Sequence, residues 1–243
     1  MRTTYRQRSQ AAFTMVEIAL SLGIIAFALV AIIGVMPSGM KVQRENREDT
    51  IINQDGSYLL EAIRSGSKGV DDLTNYVESI TVNNLTFTNN LSNPGGYLPL
   101  TNAQHIVSLL STPKVEWLPN NTYQINTVTA RMRALSGNAM EKSTALQDFA
   151  FRYQVTAEVV ALTNVPPLVA NNLSLTERLR TANLMQNAYE VRLLMRWPIL
   201  QRGGVGRNRR TLRTLVSGEL MPIYTNKNPH LFLFQPDTFA SYH

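Results

Sequence analysis

The sequence contains no cysteine. Thiol nucleophiles, thiolate metal ligands and disulfides are therefore excluded together. The compartment stays open, since a chain of 243 residues can bury a core without disulfides. Histidine is scarce as well: His105, His230 and His243 lie far apart, and no HExxH spacing is present. There is no GxSxG elbow, Walker A loop or EF-hand loop. The run Gly203-Gly204-Val205-Gly206 lacks GxGxxG spacing and lies between two strand-like stretches instead of opening a helix. Asp71-Asp72 alone supplies too few oxygens to argue for calcium. Trp117 and Trp197 read as core anchors. These absences lead to the expectation of a non-enzymatic protein with no cofactor and no metal.

Charge is missing where its absence says most. The first twelve residues, MRTTYRQRSQAA, hold three arginines and no acid, and Ile18 to Met36 carries no charge at all. The chain's formal charge is +6, but Arg2, Arg6 and Arg8 supply half of it. What remains is dispersed along the sequence and forms no basic stripe, so nucleic acid is not an expected partner.

The uncharged run belongs to the stretch AAFTMVEIALSLGIIAFALVAIIGVM, Ala11 to Met36. As a helix, Ile18 to Met36 would rise about 28 Å, near the ~30 Å hydrocarbon core of a bilayer. It is longer than the apolar core of a secretory signal, and Val35-Met36-Pro37-Ser38-Gly39 lacks a signal-peptidase ending. It reads as an anchor with a membrane-spanning part at residues 18–36. The flanks orient it: the leader is strongly positive, whereas Lys41 to Asp49 sums to zero. The positive-inside rule puts the N-terminus in the cytoplasm and the remainder across the membrane. Glu17, alone at the start of the run, either rests at the cytoplasmic interface or pairs with a cation.

Beyond Pro37, where a bend or local break is expected, Val42, Ile51, Ile52, Leu59, Ala62 and Ile63 mark an amphipathic helix. It stops at Ser65-Gly66-Ser67, with Gly66 as C-terminal cap and Gly56 as a weak point. Its apolar stripe is expected to pack on a following sheet. Residues 70–78 suggest a short helix or turn, and Ile80 to Phe87 one strand or two, broken at Asn83-Asn84. Asn89 to Pro99 reads as loop, and Ala103 to Leu110 as a short helix. Tyr123 to Leu135 has strand composition with a slip at Asn126-Thr127. The alternation from Phe149 to Ala161 marks a half-buried strand. A connection opening at Val165-Pro166-Pro167 holds a helical turn around Leu175 to Met185. Tyr189 to Trp197 and Thr211 to Leu220 form a hairpin across the arginine-rich loop Gln201 to Arg210, read as a solvated tip. Leu231 to Phe234 supplies a last edge strand. The expected class is α+β, a long N-terminal helix packed on an antiparallel sheet.

The N-terminal pattern of short basic leader, small residue, Phe, three residues, Glu and apolar helix resembles the class III signal of type IV pilins and type II secretion pseudopilins. The order of the later pieces, with its VRLLMRWP…RNRRTLRTLVS hairpin, is similar to the Verru_Chthon cassette protein B family of prepilin-like proteins. The resemblance implies a leader at residues 1–12 cut by a prepilin peptidase between Ala12 and Phe13, with methylation of Phe13. The family usually places glycine where this chain has Ala12. It further implies a long helix at residues 13–66 and an extracytoplasmic domain at residues 67–243. Glu17 would direct assembly with other pilin-like subunits in the inner membrane, into a pilus or pseudopilus, as a minor subunit. The competing expectation is a single-pass anchored binding protein that forms no filament.

Overall fold

The computed structural model describes residues 13–66, 71–88, 98–117, 122–136, 151–163, 173–200, 203–223 and 230–240. The leader with Ala12, most of the Asn89–Pro99 loop, Phe149, the Val165-Pro166-Pro167 opening and Arg202 lie outside the described residues. The chain divides into two compact units, residues 1–48 and 49–243.

The first unit holds most of α1, a single helix over Met15–Arg64. It starts with reciprocal capping: Glu17 N–H donates to Thr14 Oγ1 (3.3 Å) and Thr14 N–H donates to the Glu17 carboxylate (2.9 Å). Pro37 sits inside the helix without ending it. The expected break is corrected to this extent: the flanking turns carry the helix past the missing donor, and Ser38 Oγ donates to the Val35 carbonyl at 2.8 Å. Val42, placed on the buried stripe by its spacing, is 54% exposed. The stripe begins with Ile51, in the second unit, where there is a sheet to cover it.

In the second unit a 3-10 turn, Asp71–Asn75, leads into β1 (Val77–Val82) and β2 (Leu85–Thr88). These two form a hairpin whose turn is possible because Asn83 adopts φ +54°. The remaining elements are β3 (Leu98–Pro99), α2 (Ala103–Leu110), β4 (Val115–Trp117), β5 (Tyr123–Ile125), β6 (Val128–Arg133) and β7 (Arg152–Ala161), followed by α3 (Leu175–Asn187), β8 (Ala188–Ile199), β9 (Val205–Ser217), β10 (Glu219–Ile223) and β11 (Leu231–Gln235). The main sheet has seven strands in the order β3-β2-β1-β6-β7-β8-β9, antiparallel except for the short β2–β3 pairing. The class is α+β.

Period-two alternation builds the core. Tyr153, Val155, Ala157 and Val159 of β7 and Val191, Leu193, Met195 and Trp197 of β8 are buried, while the intervening residues face the other side. Ile52, Leu59, Ala62 and Ile63 of α1 join the same cluster, as do Ile106, Val107, Leu109 and Leu110 of α2. Gly56 is a close-approach point here, not a weakness. A Cβ on it would lie 2.4 Å from Leu212 Cδ1 and 2.8 Å from Met195 Sδ, so any larger residue would have to displace these side-chain ends for α1 to stay this near β8 and β9. Gly66 caps the helix as expected, with φ +68°.

Other expectations shift. Tyr123 to Leu135 is two strands in different sheets. Asn126 turns the chain between them: its N–H donates to the Lys114 carbonyl (2.8 Å), and its side chain bonds Pro113, Glu116, Asn83 and Gln124. β9 begins at Val205, so Arg207, Arg209 and Arg210 are strand residues, not loop. The tip shrinks to Leu200–Gly204, closed by Leu200 N–H to Gly204 O and Gly203 N–H to Leu200 O, each 2.8 Å. The second hairpin strand ends at Ser217. Gly218 (φ +118°) follows, and Glu219 opens β10. β11 is an edge strand, as expected, but of a separate two-stranded sheet with β10, and its Phe232, Leu233 and Phe234 are buried.

Candidate functional site

Phe13, the residue that cleavage would expose, is 80% exposed at the start of the first unit. Glu17 lies one turn on, its carboxylate accepting from both Thr14 N–H and Thr14 Oγ1 at 2.9 Å. The lone acid that sequence reasoning left needing a partner is thus held by its own helix terminus, where free N–H groups and the helix dipole favour negative charge. Ala12 lies outside the described residues.

From Ile18 to Met36 every residue is exposed, including Leu20, Ile24, Phe27, Val30 and Ile33. The most apolar window of α1 reaches a mean hydropathy of 2.8 and none of it is buried. A helix that is apolar all round suits lipid or a protein interior, not water. It is long and apolar enough to cross a membrane. Gly23 and Gly34 have nothing within 4 Å of a built Cβ, and Ala19, Leu20, Gly23, Ile24 and Phe27 border a shallow groove along the helix. Small residues at such a groove let another helix approach closely.

The residue that sequence reasoning missed is Asp55, on the buried side of α1 and 1% exposed. Its carboxylate accepts from Leu135 N–H (2.8 Å), Ser136 N–H (2.8 Å), Ser136 Oγ (2.6 Å) and Tyr153 OH (2.9 Å). Burial and the adjacent Asp55 charge push the Tyr153 phenol well above its ordinary range. The signal was present: Asp55 falls four residues from both Ile51 and Leu59, an acid in the middle of an apolar stripe. Its role is to fasten the helix to β7 and to the chain leaving β6.

A half-open cavity of about 210 Å³ is lined by Val159, Met185, Tyr189, Leu220, Phe232 and Glu116. Glu116 is already engaged by His230 Nδ1 (3.0 Å) and Asn126 Nδ2 (3.2 Å). Burial, then the nearby Glu219 charge, pushes the Tyr189 phenol up to about 12. Among the described residues no group of three or more His, Asp or Glu side chains could hold a metal ion. The Asp71 side chain lies outside the described set. Trp197 is a core residue, as expected. Compared with protein-family models, with curated proteins and with solved structures, the chain shows no match.

Proposed function

We propose that this chain is a prepilin-like structural subunit. A prepilin peptidase cuts between Ala12 and Phe13, the new N-terminus of Phe13 is methylated, and the protein assembles through α1 into a type IV pilus or type II secretion pseudopilus as a minor subunit. Before assembly the apolar half of α1 spans the inner membrane, N-terminus in the cytoplasm and the sheet-bearing unit in the periplasm. The observation that carries the reading is the junction itself. The exposed apolar stretch of α1 begins at Met15, two residues after Phe13, with the acid Glu17 in its first turn, and the same helix supplies Ile52, Leu59 and Ile63 to the core of a sheet domain. In a filament, packing of neighbouring helices would cover the exposed stretch, and the amine released at Phe13 would offer Glu17 of an adjacent subunit a cation.

A second reading, a single-pass anchored binding protein without a filament, draws on the capping of Glu17 by Thr14. There the carboxylate serves its own helix and needs no neighbour. Mass spectrometry of the mature N-terminus separates the two. N-methyl-Phe13 is the expected species, and retention of Met1 to Ala12 on all copies in cells with active prepilin peptidase overturns the first reading. Glu17→Ala should then leave membrane insertion intact while cutting incorporation into filaments. Normal incorporation would return Glu17 to a capping role.

A further inference from the structure

The sheet gathers charge that the sequence disperses. Cross-strand register places Arg131 of β6, Gln154 of β7, Arg196 of β8 and Arg209 of β9 side by side in one row on the face opposite the core. Two residues along, the next row reads Thr129, Thr156, Leu194, Thr211, and it continues through Thr81 of β1 to Thr86 of β2. The row after that carries Glu158, Arg192 and Arg213. Arg133 and Arg152 pair across β6 and β7 on the other side of the first row, both beside Glu78. Seven arginines thus share a face with three acids, Glu78, Glu158 and Glu190.

The acids are taken up locally. Glu78 meets Arg133 and Arg152, Glu158 meets Lys114 at 2.7 Å, and Glu190 meets Arg192, with Arg213 at 3.8 Å. Arg196 and Arg209 are exposed and have no ion-pair or hydrogen-bond partner among the described residues, while Arg131 donates only to the Gly203 carbonyl at 3.3 Å. Arg207 extends the exposed positive charge along β9, which has no acid between Val205 and Ser217. The array spans about 14 Å across three strand spacings and about 14 Å from Arg209 to Arg213 along β9.

The geometry points to the sugar–phosphate backbone of double-stranded nucleic acid as the ligand of this face. The seven cations of these rows are all arginine, whose planar fork matches phosphate, and threonine hydroxyls lie between them as further phosphate donors. None of the residues in the rows is aromatic, so bases of a single strand have no stacking platform. Leu194 and Leu215 are the face's main apolar contributions, which gives a protein partner no apolar centre and a lipid surface little to bury. A polar, strongly positive surface is the character of protein–duplex contacts. The inference concerns the second unit alone and stands whether or not Phe13 is processed.

Full-length protein in neutral detergent, titrated with a fluorescent 20-base-pair duplex, tests it. Binding independent of sequence is expected, with log K falling against log salt at a slope of about −4, as four phosphate contacts require. Arg196→Glu with Arg209→Glu should weaken binding more than 10-fold and flatten the slope by about 2. Arg178→Glu with Arg180→Glu on α3, an equal change in net charge, should do far less, with circular dichroism checking that both variants fold. Three outcomes each overturn the proposal: no duplex binding at 50 mM salt, equal losses in both double variants, or tighter binding to anionic phospholipid vesicles or polyglutamate than to duplex.

Discussion

Replacing Asp55 by alanine removes one acceptor and strands four donors: Leu135 N–H, Ser136 N–H, Ser136 Oγ and Tyr153 OH. Hydrogen bonds to a charged group contribute about 1.5–3 kcal/mol each, and a buried donor left unpaired costs about 1–3 kcal/mol. Against this stands the desolvation of the carboxylate, which the variant no longer bears. Some donors will also reach water once the side chain is gone. The net expectation is a loss of about 3–5 kcal/mol, equivalent to roughly 6–20 °C in Tm for a domain near 200 residues. Asp55→Asn keeps one acceptor but points an amide N–H₂ at donors, so about 2 kcal/mol should go. Urea unfolding of the full chain in micelles, followed by circular dichroism, reads both values, and m should stay constant. A double-mutant cycle with Tyr153→Phe should give a coupling of about 1–2 kcal/mol. Alanine variants within 1 kcal/mol of the parent, or a coupling near zero, would refute the view that this carboxylate fastens α1 to the sheet.

Two further outcomes follow from the same core. The Tyr153 and Tyr189 phenols are both raised on folding, so their contribution is fully present below the ordinary tyrosine value near 10 and is lost as pH climbs through the folded values. Stability should therefore be flat from neutral pH to about 9 and fall steeply between about 10 and 12, and Tyr153→Phe with Tyr189→Phe should blunt that fall. Gly56→Ala should destabilise by about 1–3 kcal/mol despite alanine's better helix propensity, because the new methyl meets Leu212 and Met195. A more stable Gly56→Ala would show that the helix can shift away from β8 and β9.

Much of the architecture was legible because it rests on short-range pattern. The uninterrupted run from Ile18 to Met36, the stripe of Ile52, Leu59 and Ile63, and the alternation of β7 and β8 each state their environment in a few residues. What escaped depends on neighbours distant in sequence. Asp55 looks like an ordinary solvated acid until Leu135, Ser136 and Tyr153 close around it, 80 to 98 residues away. Gly56 looks like a defect until Leu212 presses on it. Arg207, Arg209 and Arg210 suggest a loop because their strand is an edge with one face open to solvent, where polar side chains cost nothing. The local break expected at Pro37 does not occur, and the long helix runs through it. The register of β6 to β9 turns separate arginines into one surface, and no window of the sequence contains it.

The fastening of α1 has a mechanical side. Residues 49–64 are an internal wall of the sheet domain as well as the continuation of the apolar stretch, so a pull along the helix reaches the domain through its core. Gly56 lets the helix seat against β8 and β9, and the four bonds to Asp55 lie beside that seat. A fragment beginning after Gly66 would lack this wall and expose the apolar residues that α1 covers. One beginning at Asp49 keeps it, and with it the point where traction on the helix would be borne.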